Sequence, residues 1–292
     1  MAPAVLTGAV CESVIVERGF FMGREWKSDG RGGTITEGVD QAAVKRPPDM
    51  LKKAIPDGTV VLTFDDALRH HYTKVAPALE ERGFGGTFYV SELYFPVYGA
   101  DDYADGVKKG VYMTWEEIAD LERRGFEIGN HSLRHANLPG MTQAEMKREI
   151  DGIAERCAAY RIPRPQTFAY PGLAYTADSV AYLRAQGYTF ARTGLAEAYD
   201  PLMQHPLKVM GTDVSPDYEG FVEQVERARE GKIVVLLYHD VPDAGAFAKT
   251  MDYLKKRGFQ ALSMKRLEDY IDPEKAAAYF EGRPAKAVEE GD

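Results

Sequence analysis

A chain of 292 residues with a net charge of −9 is long enough for one large α/β domain, and its charge has the wrong sign for a nucleic-acid or anionic-membrane partner, which would favour a basic face. The composition, 45% hydrophobic, 28% charged and 11% aromatic, excludes a disordered or fibrous chain and fits a globular protein with a sizeable core. Two cysteines, Cys11 and Cys157, exclude a disulfide framework and a CxxC or zinc-finger spacing, and both are expected to be free thiols.

No apolar run approaches the ~18 residues of a membrane span. Met1 to Val10 is mildly apolar, lacks a basic n-region and is too short for a signal peptide. A cytoplasmic location is therefore the default expectation, with export if a leader has been removed. The sequence is silent on oligomeric state.

Residues 1–57 read as an N-terminal extension packed on the main domain. Ser13-Val14-Ile15-Val16 fits a short strand, Ser28 to Gly33 a loop, and Pro47-Pro48 a break. From Thr59 the chain alternates regularly. Strands are predicted at Val60–Asp66, Gly86–Ser91, Phe126–Ser132, Thr167–Pro171, Tyr188–Thr193, Leu207–Val214, Lys232–His239 and Phe259–Met264. Helices are predicted at Tyr72–Arg82, from Thr114 to Gly125, and at Thr142–Tyr160, Thr176–Gln186, Tyr218–Arg229, Ala246–Arg257 and Leu267–Ile271. Thr114 with Glu117 and Thr142 with Glu145 read as capping boxes. A long loop, Glu92–Met113, holds Tyr94, Phe95, Tyr98 and Tyr103, some of which are candidates for stacking on a sugar ring. The barrel domain is expected over 58–275 and a C-terminal tail over 276–292. Strand–helix alternation with Gly at the helix ends is the pattern of a parallel α/β fold, and the count favours a barrel over an open sheet. No GxGxxG or GxxxxGK[ST] follows the first strand, so nothing supports nucleotide binding.

The first strand, Val60-Val61-Leu62-Thr63-Phe64, ends in Asp65-Asp66. Buried strands do not end in two acids by default, because unpaired charge at a core edge is costly. Neighbours on an extended chain face opposite ways, so the two carboxylates can hold different jobs. In a β/α barrel the active site sits at the C-terminal ends of the strands. Phe126–Ser132 ends in His131-Ser132-Leu133-Arg134-His135, Thr167–Pro171 in Tyr170-Pro171-Gly172, Leu207–Val214 at Asp213, and Lys232–His239 in Tyr238-His239-Asp240. His131 and His135 are i and i+4, and a helical turn after the strand would put both imidazoles on one side. With one carboxylate they make a facial set for a divalent metal with an open position for water. His70 and His71 are adjacent and read as surface or rim residues.

Thr63-Phe64-Asp65-Asp66, His131-Ser132-Leu133-Arg134-His135 and Leu237-Tyr238-His239 resemble, in order and spacing, three motifs of the polysaccharide deacetylases: the NodB homology domains of carbohydrate esterase family 4. The resemblance covers about 58–271. It implies a deformed (β/α)7, TIM-like barrel. It also implies hydrolysis of N-acetyl groups on an amino-sugar glycan of the chitin, peptidoglycan or poly-N-acetylglucosamine type by a metal-bound water. By position, Asp66, His131 and His135 would hold the metal, most simply Zn2+, with Co2+, Ni2+ or Mn2+ as alternatives. Asp65 would be the general base, and His239 the general acid that protonates the leaving amine, a task for which an imidazole is the side chain best poised near neutral pH.

Two motifs depart from the family pattern. Phe168-Ala169-Tyr170-Pro171-Gly172 has Ala169 where an Arg usually orients the base, a form that exopolysaccharide deacetylases also carry. Arg192, at the end of the next strand, is the candidate replacement. Tyr170 and Gly172 are candidate substrate or oxyanion contacts. Gly172 is the better N–H donor, because Pro171 has none. Asp213 is the expected partner of His239, with Asp217 as its rival, and Tyr238 a candidate wall of the sugar groove. The same machinery would also serve hydrolysis of a small cyclic amide or an O-acetyl ester. A degenerate, non-catalytic carbohydrate-binding homologue is the third reading.

Overall fold

A computed structural model of the chain describes residues 49–92 and 103–281. The chain separates into two compact units, Met1–Val44 and Lys45–Asp292. The first lies outside the described residues, and so do Cys11, most of the expected extension and the expected aromatic contacts of Tyr94, Phe95 and Tyr98. The Tyr103 side chain is likewise outside them.

All eight expected strands form: β1 Thr59–Phe64, β2 Thr87–Val90, β3 Glu127–Asn130, β4 Thr167–Ala169, β5 Phe190–Arg192, β6 Thr212–Asp213, β7 Val234–Tyr238 and β8 Gln260–Leu262. In space they run β5-β4-β3-β2-β1-β7-β6, with β8 added against β1. Every pairing among them is parallel. A parallel bridge from Arg192 to Val209 carries β5 towards the segment that leads into β6. The result is the expected deformed (β/α)7 barrel.

The β1 residues explain its central place. All six are buried, as both faces of a parallel strand are covered. Val60, Leu62 and Phe64 pack outwards with Leu79, Met251 and Leu254 beneath the helices. Val61 packs on the other side with Val235, Ile233 and Phe190. Asp65 continues the row of Val61 and Thr63, because strand side chains alternate with a period of two.

Helix α1, Ala76–Arg82, is entered through a π-helical turn, His71–Val75, where one continuous helix was expected. A short helix, α2 (Tyr103–Lys108), lies within the expected loop. The capping boxes are present on α3, Trp115–Arg123, and α4, Gln143–Ala159, each worth about 1 kcal/mol. Helices α5 Ala177–Ala185, α6 Tyr218–Val225 and α7 Ala244–Arg257 follow. Of the expected strand Leu207–Val214 only Thr212–Asp213 forms, because Pro206 opens a 3-10 turn over Pro206–Lys208. Met264–Asp269 is also 3-10, in place of the expected helix Leu267–Ile271. Helix α8, Pro273–Glu281, was not expected and covers residues 276–281 of the supposed tail. Ala276 packs there with Met50, Leu267 and Ile271. Leu51 bridges Ile271, which fixes the residues just before the barrel.

Candidate active site

Asp65 and Asp66 leave the end of β1 in different conformations. Asp65 keeps the strand ladder, its N–H donating to the Tyr238 carbonyl at 2.9 Å, and is buried. Asp66 takes a left-handed φ of 71° and Ala67 one of 50°. Such angles cost a non-glycine residue about 1–2 kcal/mol and persist only where the surroundings hold them. The turn swings the Asp66 carboxylate towards the β3 loop.

The β3 loop brings in both histidines, without the helical turn that their spacing suggested. Ser132 at φ 60° and His135 at φ 51° curl the chain instead. Asn130 Oδ1 accepts from Ser132 N–H at 2.9 Å, and Ser132 Oγ accepts from Ala136 N–H at 2.9 Å. Glu149, on α4, takes Arg134 N–H at 2.9 Å and the Arg134 guanidinium at 2.6 Å. Glu149 was missed from the sequence. Its signal was a carboxylate inside the apolar stripe of Met146, Ile150 and Ile153.

Among the described residues, Asp66, His131 and His135 form a cluster whose ligand atoms all lie within 4.8 Å of one another. Asp66 Oδ1 is 3.7 Å from His131 Nε2 and 3.5 Å from His135 Nε2. Atoms that share one tetrahedral ion at ~2.0–2.2 Å stand at about this spacing. The chemistry of the donors fits as well. His131 Nδ1 donates to the Ala169 carbonyl at 2.8 Å, which leaves Nε2 with its lone pair. That Nε2 is buried, has no hydrogen-bond partner, and stands 3.6 Å from Asp65 Oδ2. A lone pair facing two carboxylates suits a cation between them. Burial lowers the His135 pKa and His131 adds to this, against Asp66 and Asp65, which favours the neutral ligand form.

Arg192, the candidate replacement for the arginine absent at Ala169, stands beside Asp65. The β4–β5 register pairs Ala169 with Arg192, so the guanidinium is displaced by one strand at the same height. Arg192 is fully buried, lies over the Tyr89 ring at 5.6 Å, and its Nη2 is ion-paired with Asp65 Oδ2. Gly129 and Gly211 make the room. A Cβ on Gly129 would stand 2.4 Å from the Tyr89 ring, and one on Gly211 would stand 3.0 Å from the Arg192 side chain. Burial pushes the Asp65 carboxyl up, but Arg192, His131 and His239 outweigh it and hold the pKa below the ordinary value. Asp65 is therefore ionised at neutral pH.

His239 follows β7 on the same rim, about half exposed. Its Nδ1 is 3.9 Å from Asp213 Oδ1, an ion-pair distance and longer than a hydrogen bond. The rival Asp217 is used elsewhere, capping α6 through Gly220 N–H at 2.7 Å. Gly172 has φ 60°, and a Cβ there would meet Asn137 Oδ1 at 2.6 Å. Two expected contacts are corrected. The Tyr170 hydroxyl donates to the Leu207 carbonyl at 3.0 Å, and its ring sits in the core with Phe168 and Leu183. Its N–H donates to the Arg192 carbonyl at 3.0 Å and so is not free for a substrate. Tyr238 is buried against Phe64 and Phe247, with ring centroids at 5.1 and 5.5 Å, on the helix-facing side of β7. Strand alternation points it away from the face that Asp65 and His239 share. His71, expected as a surface or rim residue, is fully buried, with Nε2 2.8 Å from the His239 carbonyl oxygen at the rim.

A half-open parallel barrel carries, at the carboxyl ends of its strands, a two-histidine, one-carboxylate cluster that could hold a metal ion, beside a buried Asp–Arg pair. Residues 52–191 match the family model for polysaccharide deacetylase. Over this stretch, just under half of the chain and ending one residue before Arg192, the chain is similar to the polysaccharide deacetylases. A chitin deacetylase of Arthroderma benhamiae is 24% identical over 222 residues, 74% of this chain and 53% of that protein. The chain thus spans about half the length of that curated relative. PdaA of Bacillus subtilis, a family 4 carbohydrate esterase, superposes with a TM-score of 0.52 at 20% identity, over 76% of this chain and 85% of PdaA. A family 4 pseudoenzyme of Bacillus anthracis superposes with a TM-score of 0.51 at 16% identity, over 73% of this chain and 66% of the other. The fold is therefore shared by active and inactive proteins, and the site has to decide between them.

Proposed function

We propose that the chain is a divalent-metal-dependent deacetylase of N-acetylated amino sugars in a glycan. The observation that carries this reading is the bare, buried Nε2 of His131 facing the Asp65 and Asp66 carboxylates. Asp66, His131 and His135 would hold the ion, with Zn2+ the simplest choice for this donor set. The bound ion would supply a lowered water pKa and a polarised acetyl carbonyl.

The chain's own residues divide the remaining work. Asp65, ionised and fixed by Arg192, takes the proton from the attacking water. Gly172 N–H is the candidate donor to the developing oxyanion. His239 gives a proton to the leaving nitrogen, without which an amine departs poorly from the tetrahedral intermediate. Asp213, with Oδ1 3.9 Å from His239 Nδ1, is the candidate to orient that ring. A complete set of ligands, base and acid supports turnover over sugar binding alone.

Acetate release from chito-oligosaccharides is the test. EDTA should abolish it, and Zn2+ or Co2+ should restore it. Asp66→Ala should lose metal, read by elemental analysis, together with activity. An Asp66→Ala protein that keeps both would sink the assignment. Acetylated xylan and small cyclic amides, run in the same panel, discriminate the alternative substrates.

A further inference from the structure

His70 and His71 sit on the same β1–α1 connection as the two aspartates, and none of the chemistry above uses them. The β1–β7 ladder ends where Asp65 N–H meets the Tyr238 carbonyl. Beyond that point the sheet has no bonds left for the backbone of 239–241, and the two imidazoles supply them. His71 Nε2 lies 2.8 Å from the His239 carbonyl oxygen. A carbonyl only accepts, so Nε2 carries the proton and the buried Nδ1, which has no hydrogen-bond partner, is bare. His70 Nε2 accepts from Val241 N–H at 3.0 Å, so its neutral ring carries the proton on Nδ1. The rings meet edge to face, with centroids 4.5 Å apart, and His71 is wedged against Phe64 at 5.5 Å. The π-helical turn begins at His71, an irregularity frequent at functional sites. The charged neighbours of His70 are Asp240, with Oδ1 at 3.4 Å from its Nε2, and Lys74.

We infer that His70 and His71 are positioning residues: two imidazoles of opposite tautomer that grip the backbone on both sides of Asp240 and fix where the His239 ring stands over the barrel end. The grip ties the connection that carries the base and a metal ligand to the connection that carries the acid. This inference rests on the reading of His239 as proton donor.

The test compares an N-acetyl substrate, a chito-oligosaccharide, with 4-nitrophenyl acetate, whose leaving group needs no proton. His239→Ala should lower the amide-to-ester rate ratio. His71→Phe should lower the same ratio about 10- to 100-fold through kcat, with KM nearly unchanged, since misplacement by ~1 Å costs up to about 10²-fold. His71→Gln, which keeps a donor at the same reach, should recover most of the loss. Where His71→Phe lowers the melting temperature too far for kinetics, His70→Ala carries the same comparison. Nitrogen-15 NMR of the wild-type imidazoles should show Nε2–H for His71 and Nδ1–H for His70. Equal loss on both substrates, or identical tautomers, overturns the inference while leaving His239 as the acid. An unchanged ratio in His239→Ala overturns the acid assignment, and the inference falls with it.

Discussion

At the scale of single residues, the Asp65–Arg192 pair sets the charge state of the proposed base. A carboxylate this buried would drift upward in pKa and protonate without a cation beside it, because burial penalises the charged form. Arg192 supplies that cation from β5, with its guanidinium over the Tyr89 ring, 5.6 Å from the centroid. Arg192→Ala is expected to lose about 3–5 kcal/mol of stability, since it strands a buried charge. Its kcat should fall far more than for an average surface change, on the order of 10²-fold. Arg192→Lys should rescue little, because a compact, strongly hydrated ammonium is a poorer fully buried cation than a guanidinium. Urea denaturation and acetate release check both statements, and near-wild-type kcat in Arg192→Ala would remove the pair from the chemistry.

At the scale of elements, the β3 loop is shaped by a helix, α4, that supplies none of the proposed metal ligands. Glu149, on α4, accepts from the Arg134 N–H and guanidinium and is itself buried, while Leu133 N–H donates to its carbonyl at 2.8 Å. The left-handed angles at Ser132 and His135 are held against this anchor. Glu149→Ala should cost about 2–3 kcal/mol from the lost charge-assisted bonds and weaken metal affinity 10- to 100-fold, the size usual for groups behind metal ligands. Calorimetric Zn2+ titration of the folded variant reads the second effect, and unchanged affinity would show that the loop holds its own shape. The room for Arg192 is also made by elements. Gly129→Ala on β3 would press on the Tyr89 ring, and overpacking of this kind costs about 1–3 kcal/mol.

At the scale of the whole molecule, buried histidines link stability to pH. Burial lowers the His71 pKa from the ordinary 6.5 to about 3, and that of His205 from 6.5 to about 4. Between those values and 6.5 the unfolded chain binds more protons than the folded one, so stability rises with pH and is lost as pH falls below about 6.5. Glu127, raised by burial, tilts the other way above the ordinary carboxylate range. The readout is therefore the difference between proteins: His71→Gln should flatten the urea-stability curve between about pH 6.5 and pH 4 relative to wild type. A parallel curve would mean that His71 titrates normally.

The sequence by itself determined the eight strands, their parallel α/β order and the residues at their ends, Asp65, Asp66, His131, His135 and His239. These follow from local rules: a period of two, glycine after a helix, and acids or histidines where an apolar run stops. Strand parity also turns Tyr238 away from the barrel face wherever His239 faces in. Only the tertiary structure decided that Arg192 pairs with Asp65, because that contact depends on the Ala169–Arg192 register and on how far the sheet curls. The same holds for Tyr170, whose N–H and hydroxyl find partners on Arg192 and Leu207, and for Glu149 and His71, whose partners lie on other elements. In each case the deciding contact lies between residues far apart in the chain, where side-chain spacing along a single segment carries no information.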